Sequence, residues 1–132
     1  IGLNIELPEE QVYNSYMTKS VTFHHFFVRK VMLVKYATAF VIIPGGLGTL
    51  DELTEVLTLI QTTKIKPFPV ILFDKGYWKG FIDWLQSSVL SSKFISEEDC
   101  NLLRVCDHPD DIIELVQNWH TRQEIIGNKA LY

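Results

Sequence analysis

The stretch Pro44-Gly45-Gly46-Leu47-Gly48-Thr49-Leu50-Asp51-Glu52 constrains this chain more than any other part of it. A short apolar run, Ala39 to Ile43, precedes it, and an amphipathic segment, Leu50 to Ile60, follows. A strand, a glycine-rich turn and a helix start are therefore expected in immediate succession. Three glycines with a threonine leave backbone N–H groups bare at a helix N-terminus, where the dipole already favours an anion. The pattern predicts a phosphate cradle. It ends in a carboxylate, Glu52, which a simple phosphate cradle does not need.

The remaining elements follow from hydrophobic period and turn chemistry. Ile1 to Leu7 alternates as a strand stopped by Pro8, and the polar stretch Glu9 to Lys19 reads as a surface loop. Thr22 to Tyr36 is expected to be a helix, apolar almost all round and so buried on more than one side. After the strand at 39–43 comes a helix from about Thr49 to Gln61, with Leu50, Leu53, Leu57 and Ile60 as its core stripe. Lys64 to Phe68 connects it to Pro69-Val70-Ile71-Leu72-Phe73, the continuous apolar run of a strand buried on both faces. A helix is predicted over Tyr77 to Leu90, a turn at Ser96 to Asp99 and a strand at Leu102 to Cys106. The last helix is expected to start at Asp107-His108-Pro109 and run to about Arg122.

Helices alternating with short apolar strands predict an α/β fold, a doubly wound, Rossmann-like, mostly parallel sheet with helices on both faces. Residues 1–132 read as one nucleotide-binding domain, with no repeat, low-complexity tract or linker. Three or four strands are few for an open parallel sheet. The chain also opens on a strand already under way, without an initiator Met. An N-terminal portion carrying the first strands is therefore expected to precede Ile1.

Composition narrows the partners. The 12 basic and 16 acidic residues give a net charge of −4, which argues against non-specific binding to nucleic acid or to an anionic membrane. No apolar run approaches the ~20 residues of a membrane span. Cys100 and Cys106 match no metal or redox spacing, and nothing demands an oxidising compartment, so the expected location is cytoplasmic.

Single residues carry competing readings. Thr49 as an N-cap would make Thr49-Leu50-Asp51-Glu52 a capping box, with Glu52 reaching back to the cap N–H. That box does not require Gly45, Gly46 and Gly48 in front of it, and the glycines favour a ligand site. Arg29 shares a helix face with Phe26, Leu33 and Tyr36; it is expected either to pair with an acid or to line a cavity. Lys30 is expected at the surface or facing a phosphate. His24 and His25, as helix neighbours, diverge by ~100° and cannot jointly hold a metal. His108 reads as a helix-start residue, His120 as a surface one, and Asp51 and Glu55 as solvated. Trp78, Trp84 and Trp119 are expected to pack, and the serine pairs at 87–88 and 91–92 lack a nucleophile elbow. The glycine loop is neither a Walker A motif nor the dinucleotide fingerprint, so a mononucleotide phosphate fits it best.

Taken together, Pro44 to Glu52 fits the pattern PGGxGTxxE, and Arg29-Lys30 lies fifteen residues upstream. In these features the chain resembles the LOG (Lonely Guy) family, cytokinin riboside 5′-monophosphate phosphoribohydrolases and bacterial nucleotide nucleosidases long mislabelled lysine decarboxylases. The opening Ile1 to Pro8 and the segment Phe26 to Lys30 look more like the longer bacterial branch. The likeness runs from Ile1 to about Trp119, which would make this chain the C-terminal portion of the family domain. The family's earlier half, with its first strands and another glycine-rich stretch, has no match here.

The resemblance implies hydrolysis of the N-glycosidic bond of a nucleoside 5′-monophosphate, giving free base and ribose 5-phosphate. It implies Glu52 as the catalytic carboxylate, with Arg29 anchoring substrate and keeping Glu52 ionised. Gly45, Gly46, Leu47, Gly48, Thr49 and Asp51 would hold the 5′-phosphate side of the substrate, with Lys30 adding positive charge. No cofactor or metal is expected, and relatives of this kind assemble as homodimers or higher homo-oligomers. Two rivals stand beside this reading. One is a non-catalytic nucleotide or phospho-ligand carrier on the same fold, of the molybdenum-cofactor carrier kind. The other is the lysine decarboxylase label, which needs pyridoxal phosphate on a lysine, and no lysine here has a recognisable setting for it.

Overall fold

The computed structural model describes residues 1–8 and 14–129, with side chains described as far as residue 123. The expected loop at Glu9 to Lys19 lies partly outside these residues. The chain divides into two compact units, Ile1–Ala37 and Thr38–Tyr132.

In the first unit β1 (Gly2–Ile5) pairs in parallel with β2 (Ser20–Phe23), from Gly2 opposite Ser20 to Ile5 opposite Phe23. Helix α1 (Phe26–Lys35) follows. The expected helix from Thr22 is therefore corrected at its start. Val21 and Thr22 are β-branched and pair with β1, and His25 caps the helix from an extended backbone, φ −116° and ψ 129°. His24 and His25 stand before the helix, not on it. The Nδ1 atom of His24 meets the Glu6 carboxylate, and the His25 ring stacks on Phe27 at 5.6 Å.

The expectation that this helix is buried on more than one side also fails. No residue of α1 is fully buried, and Phe26, Phe27 and Val31 are 52%, 66% and 58% exposed. Its apolar surface is too wide for the contacts the helix makes with β1 and β2.

The second unit is built on three parallel strands in the order β3-β4-β5, namely Phe40–Ile42, Val70–Phe73 and Leu103–Cys106. Ile42 lies opposite Leu72, and Phe73 opposite Cys106. As the unbroken apolar run predicts, central β4 buries Val70, Ile71 and Leu72 completely. Parallel neighbours need crossovers. The first is α2 (Leu47–Gln61). The second comprises α3 (Lys75–Trp84), a π-helical stretch at Leu85–Leu90 and α4 (Glu97–Cys100). Helix α5 (Pro109–Lys129) closes the order, opening with Pro and two acids as a helix start should.

One core joins these pieces: Ile42, Val70, Leu72 and Leu103 from the sheet, Leu53, Val56 and Ile60 from α2, and Trp78 from α3. Trp84 departs from expectation, being 54% exposed, because the helix turns that face outward. The short α4 carries a capping box in which Ser96 and Asp99 bond each other's backbone N–H. The fold is α/β with parallel strands and helices around them, of the Rossmann-like class. Among the described residues no helix is long and apolar enough to cross a membrane.

Candidate nucleotide phosphate site

Helix α2 begins at Leu47, two residues before the sequence predicts, and its N-cap is Gly46, not Thr49. Backbone N–H groups of Thr49 and Leu50 both donate to the Gly46 carbonyl, at 3.0 and 3.1 Å. Thr49 is thus the third helical residue and Glu52 the sixth. A capping box needs its carboxylate at the third position, so the capping reading of Glu52 is overturned. Among the described residues no side chain caps α2, and the N–H groups of Leu47 and Gly48 precede its first intrahelical bonds.

The glycines are not explained by backbone strain, since none of them has a positive φ. Their surroundings differ instead. A Cβ on Gly45 would lie 2.9 Å from the Thr49 Cβ and closer still to its hydroxyl, so packing requires glycine there. Beside Gly46 and Gly48 the space is open, and among the described residues no heavy atom outside the neighbouring backbone lies within 4 Å of an added Cβ. Packing within the chain therefore does not demand glycine at these two positions. Glycine at such positions leaves the backbone open to close approach.

Glu52 is half-buried on α2, and its Oε2 is shielded from solvent. Glu55 lies one turn further on the same helix face. It too is half-buried with Oε2 shielded, contrary to the solvated role expected of it. Its position three residues beyond Glu52 was the available clue. Asp51 is exposed, as expected, and Leu47 is open to solvent at 85%.

Two further loops close on the same end of the sheet. Asp74, directly after β4, has φ 80°, a region that favours Asn, Asp and Gly. Its N–H donates to the Cys106 carbonyl at 3.0 Å, and its carboxylate accepts from the Tyr77 N–H at 3.0 Å, capping α3. Asp107, directly after β5, accepts from the Lys75 N–H at 2.8 Å. Tyr77 then reaches the glycine loop, its hydroxyl donating to the Gly45 carbonyl at 2.6 Å. Sequence reasoning missed Tyr77 because the contact spans 32 residues. The carboxyl ends of parallel strands are where open α/β sheets place ligands.

Arg29 and Lys30 belong to the first unit, on α1. The Arg29 Nε donates to the Leu3 carbonyl at 2.8 Å, a partly buried bond that ties α1 to β1. Both side chains are half-buried.

Other chemistry in the second unit lies off the loop. An apolar cavity of about 200 Å³ is lined by Leu57, Gln61, Phe81, Trp84, Cys100 and Leu102, with no residue of the glycine loop. Cys106 and Cys100 are free thiols. Burial pushes the Cys106 thiol up, Asp111 and Asp107 add to this, and Lys75 opposes it, so Cys106 is a poor nucleophile. Among the described residues no group of three His, Cys, Asp or Glu is placed to hold a metal ion.

Comparison with known proteins identifies the family. Residues 1–116 match the family described as "Possible lysine decarboxylase". Cytokinin riboside 5′-monophosphate phosphoribohydrolase LOG1 of Arabidopsis thaliana is 29% identical over 102 residues, 76% of this chain and 47% of that protein. The cytokinin riboside 5′-monophosphate phosphoribohydrolase of Mycobacterium marinum is 34% identical over 86 residues, 65% of this chain and 46% of that protein. The LOG protein of Oryza sativa subsp. japonica, of the same name, is 37% identical over 70 residues, 53% of this chain and 28% of that protein. The chain spans about half the length, or less, of these relatives. With a family match across most of its residues and relatives of this name in plants and a bacterium, the chain belongs to the LOG family.

Proposed function

We propose that this chain carries the phosphate cradle and catalytic carboxylate of a nucleoside 5′-monophosphate phosphoribohydrolase. The observation that carries the reading is the start of α2: open space beside Gly46 and Gly48, with Glu52 too far along the helix to serve as its cap. The 5′-phosphate sits on the first-turn N–H groups, where the helix dipole favours its charge. Gly45, Gly46, Leu47, Gly48, Thr49 and Asp51 form that side of the site, and the resemblance to the family implies Lys30 as a further positive charge.

In the reaction the bond from C1′ to the base nitrogen breaks and its electron pair leaves with the base. The sugar becomes oxocarbenium-like, and Glu52 offsets that charge. Glu52 takes a proton from water as the water oxygen bonds to C1′, and the base gains a proton in turn. The products are free base and ribose 5-phosphate. The resemblance to the family assigns Arg29 to the substrate, in addition to its bond to Leu3. No cofactor enters this scheme. The relatives' names point to a cytokinin riboside monophosphate, and an ordinary nucleotide such as AMP has the same scissile bond.

The single family match over residues 1–116 supports one nucleotide-binding domain. A cytoplasmic location fits the free thiols of Cys100 and Cys106. A second copy of the chain covers the exposed Phe26, Phe27 and Val31 of α1 in a homodimer. Light scattering should give a dimer that Phe27→Asp converts to monomer; a wild-type monomer at micromolar concentration contradicts the assembly.

Chromatography of reactions with a panel of nucleoside 5′-monophosphates tests the function. Equal amounts of base and ribose 5-phosphate are expected. Tight nucleotide binding with no base released from any of them would favour a non-catalytic carrier.

A further inference from the structure

We infer that Tyr77 is a positioning residue for the phosphate loop, an inference that rests on the function proposed above. Its hydroxyl donates to the Gly45 carbonyl at 2.6 Å, and the Gly46 carbonyl is engaged by the Thr49 and Leu50 N–H groups. Two successive carbonyls of the loop are therefore held. A trans peptide is planar, so its N–H points opposite its C=O. With the Gly45 carbonyl turned to Tyr77, the Gly46 N–H is turned the other way; with the Gly46 carbonyl turned into the helix, the Leu47 N–H is turned outward from it. Glycine peptides rotate more readily than any others, so this orientation has to be imposed from outside the loop.

Tyr77 is itself held firmly enough to impose it. Its N–H is bound by the Asp74 carboxylate, and Asp74 stands at φ 80° with its own N–H on the Cys106 carbonyl. The ring packs edge-on against Trp78, which is 1% exposed, at 5.0 Å between centroids. The ends of β4 and β5 thus brace the loop after β3 through one phenol hydroxyl. That hydroxyl touches no reacting atom. It acts on the 5′-phosphate through the Gly45–Gly46 peptide, so its effect should fall on the phosphate and not on the base.

Tyr77→Phe keeps the ring on Trp78 and removes only the hydroxyl, and thermal unfolding confirms the folded state. In the intact protein, KM for the nucleoside 5′-monophosphate and the inhibition constant of ribose 5-phosphate should both rise about 3- to 10-fold, the range for one lost hydrogen bond. The kcat should stay within about twofold, and inhibition by the phosphate-free nucleoside should not move. A merely structural role would lower the active fraction and leave these constants unchanged. A wild-type protein that binds phosphorylated ligands, with a variant that binds them equally well, overturns this inference alone. Equal weakening for the phosphate-free nucleoside overturns it too. A wild-type protein that binds neither ribose 5-phosphate nor any nucleotide overturns the functional reading, and this one with it.

Discussion

Thr49 packs into the space that a side chain on Gly45 would need: an added Cβ there would stand 2.9 Å from the Thr49 Cβ. The first glycine of the loop and the third residue of α2 are fitted to each other, and the helix start is set against the loop by that contact. Gly45→Ala should push the loop off the helix. The expected result is at least a 10-fold loss of nucleotide affinity with at most about 1–3 kcal/mol lost in stability, the usual cost of overpacking. Gly48→Ala, at an open position, should cost no stability while still weakening nucleotide binding. Calorimetry of both variants checks this, and equal affinities for the two glycine variants and wild type would count against the cradle.

Arg29 has two duties in this account. Its bond to the Leu3 carbonyl is structural, and replacing it with Ala should destabilise the protein by about 1–3 kcal/mol, as for a lost bond from a charged donor. Turnover and nucleotide affinity should fall as well, beyond what the folded fraction explains. Denaturant titration and kinetics on the same samples separate the two. Normal kinetics per folded molecule would leave Arg29 structural only.

Asp99 gives a pH signature unrelated to catalysis. Burial raises its pKa, but hydrogen bonds from the Ser96 N–H, the Gln61 amide and the Ser96 hydroxyl outweigh burial and leave it below its ordinary 3.8. A carboxyl with a depressed folded-state pKa stabilises above its unfolded value and loses that contribution as pH falls through the folded one. The stability gap between wild type and Asp99→Asn should therefore be constant above about pH 5 and shrink below about pH 4. Urea titrations across that range measure it, and a gap that widens in acid would contradict the assignment.

The sequence and the structure agree where local chemistry decides. The run Val70 to Phe73 is buried on both sides because it is the middle strand, and Pro109 with two acids opens α5 as helix starts do. They part where long-range contacts decide. Thr22 and Phe23 continue the apolar pattern of the helix that follows, yet they pair with β1, a partner some 18 residues away in sequence. Thr49 looks like an N-cap only until the Gly46 carbonyl accepts the first helical bonds. In the site, the glycines and Glu52 are legible because they are consecutive in the chain. Tyr77 is not, because its link to Gly45 depends on β3 and β4 being neighbours. Helical spacing puts Glu55 on the face of Glu52, but a helical period alone does not show that this face is half-buried.

Glu52→Gln in the intact protein is the most direct test of the central claim, that the half-buried carboxylate on α2 performs the hydrolysis beside a phosphate cradle. Base release and equilibrium binding should be measured together on the nucleoside 5′-monophosphate that wild type cleaves best. The account predicts a turnover lower by about 100-fold or more, as expected for loss of an acid–base group, with nucleotide affinity and melting temperature close to wild type. Turnover near that of wild type would contradict it.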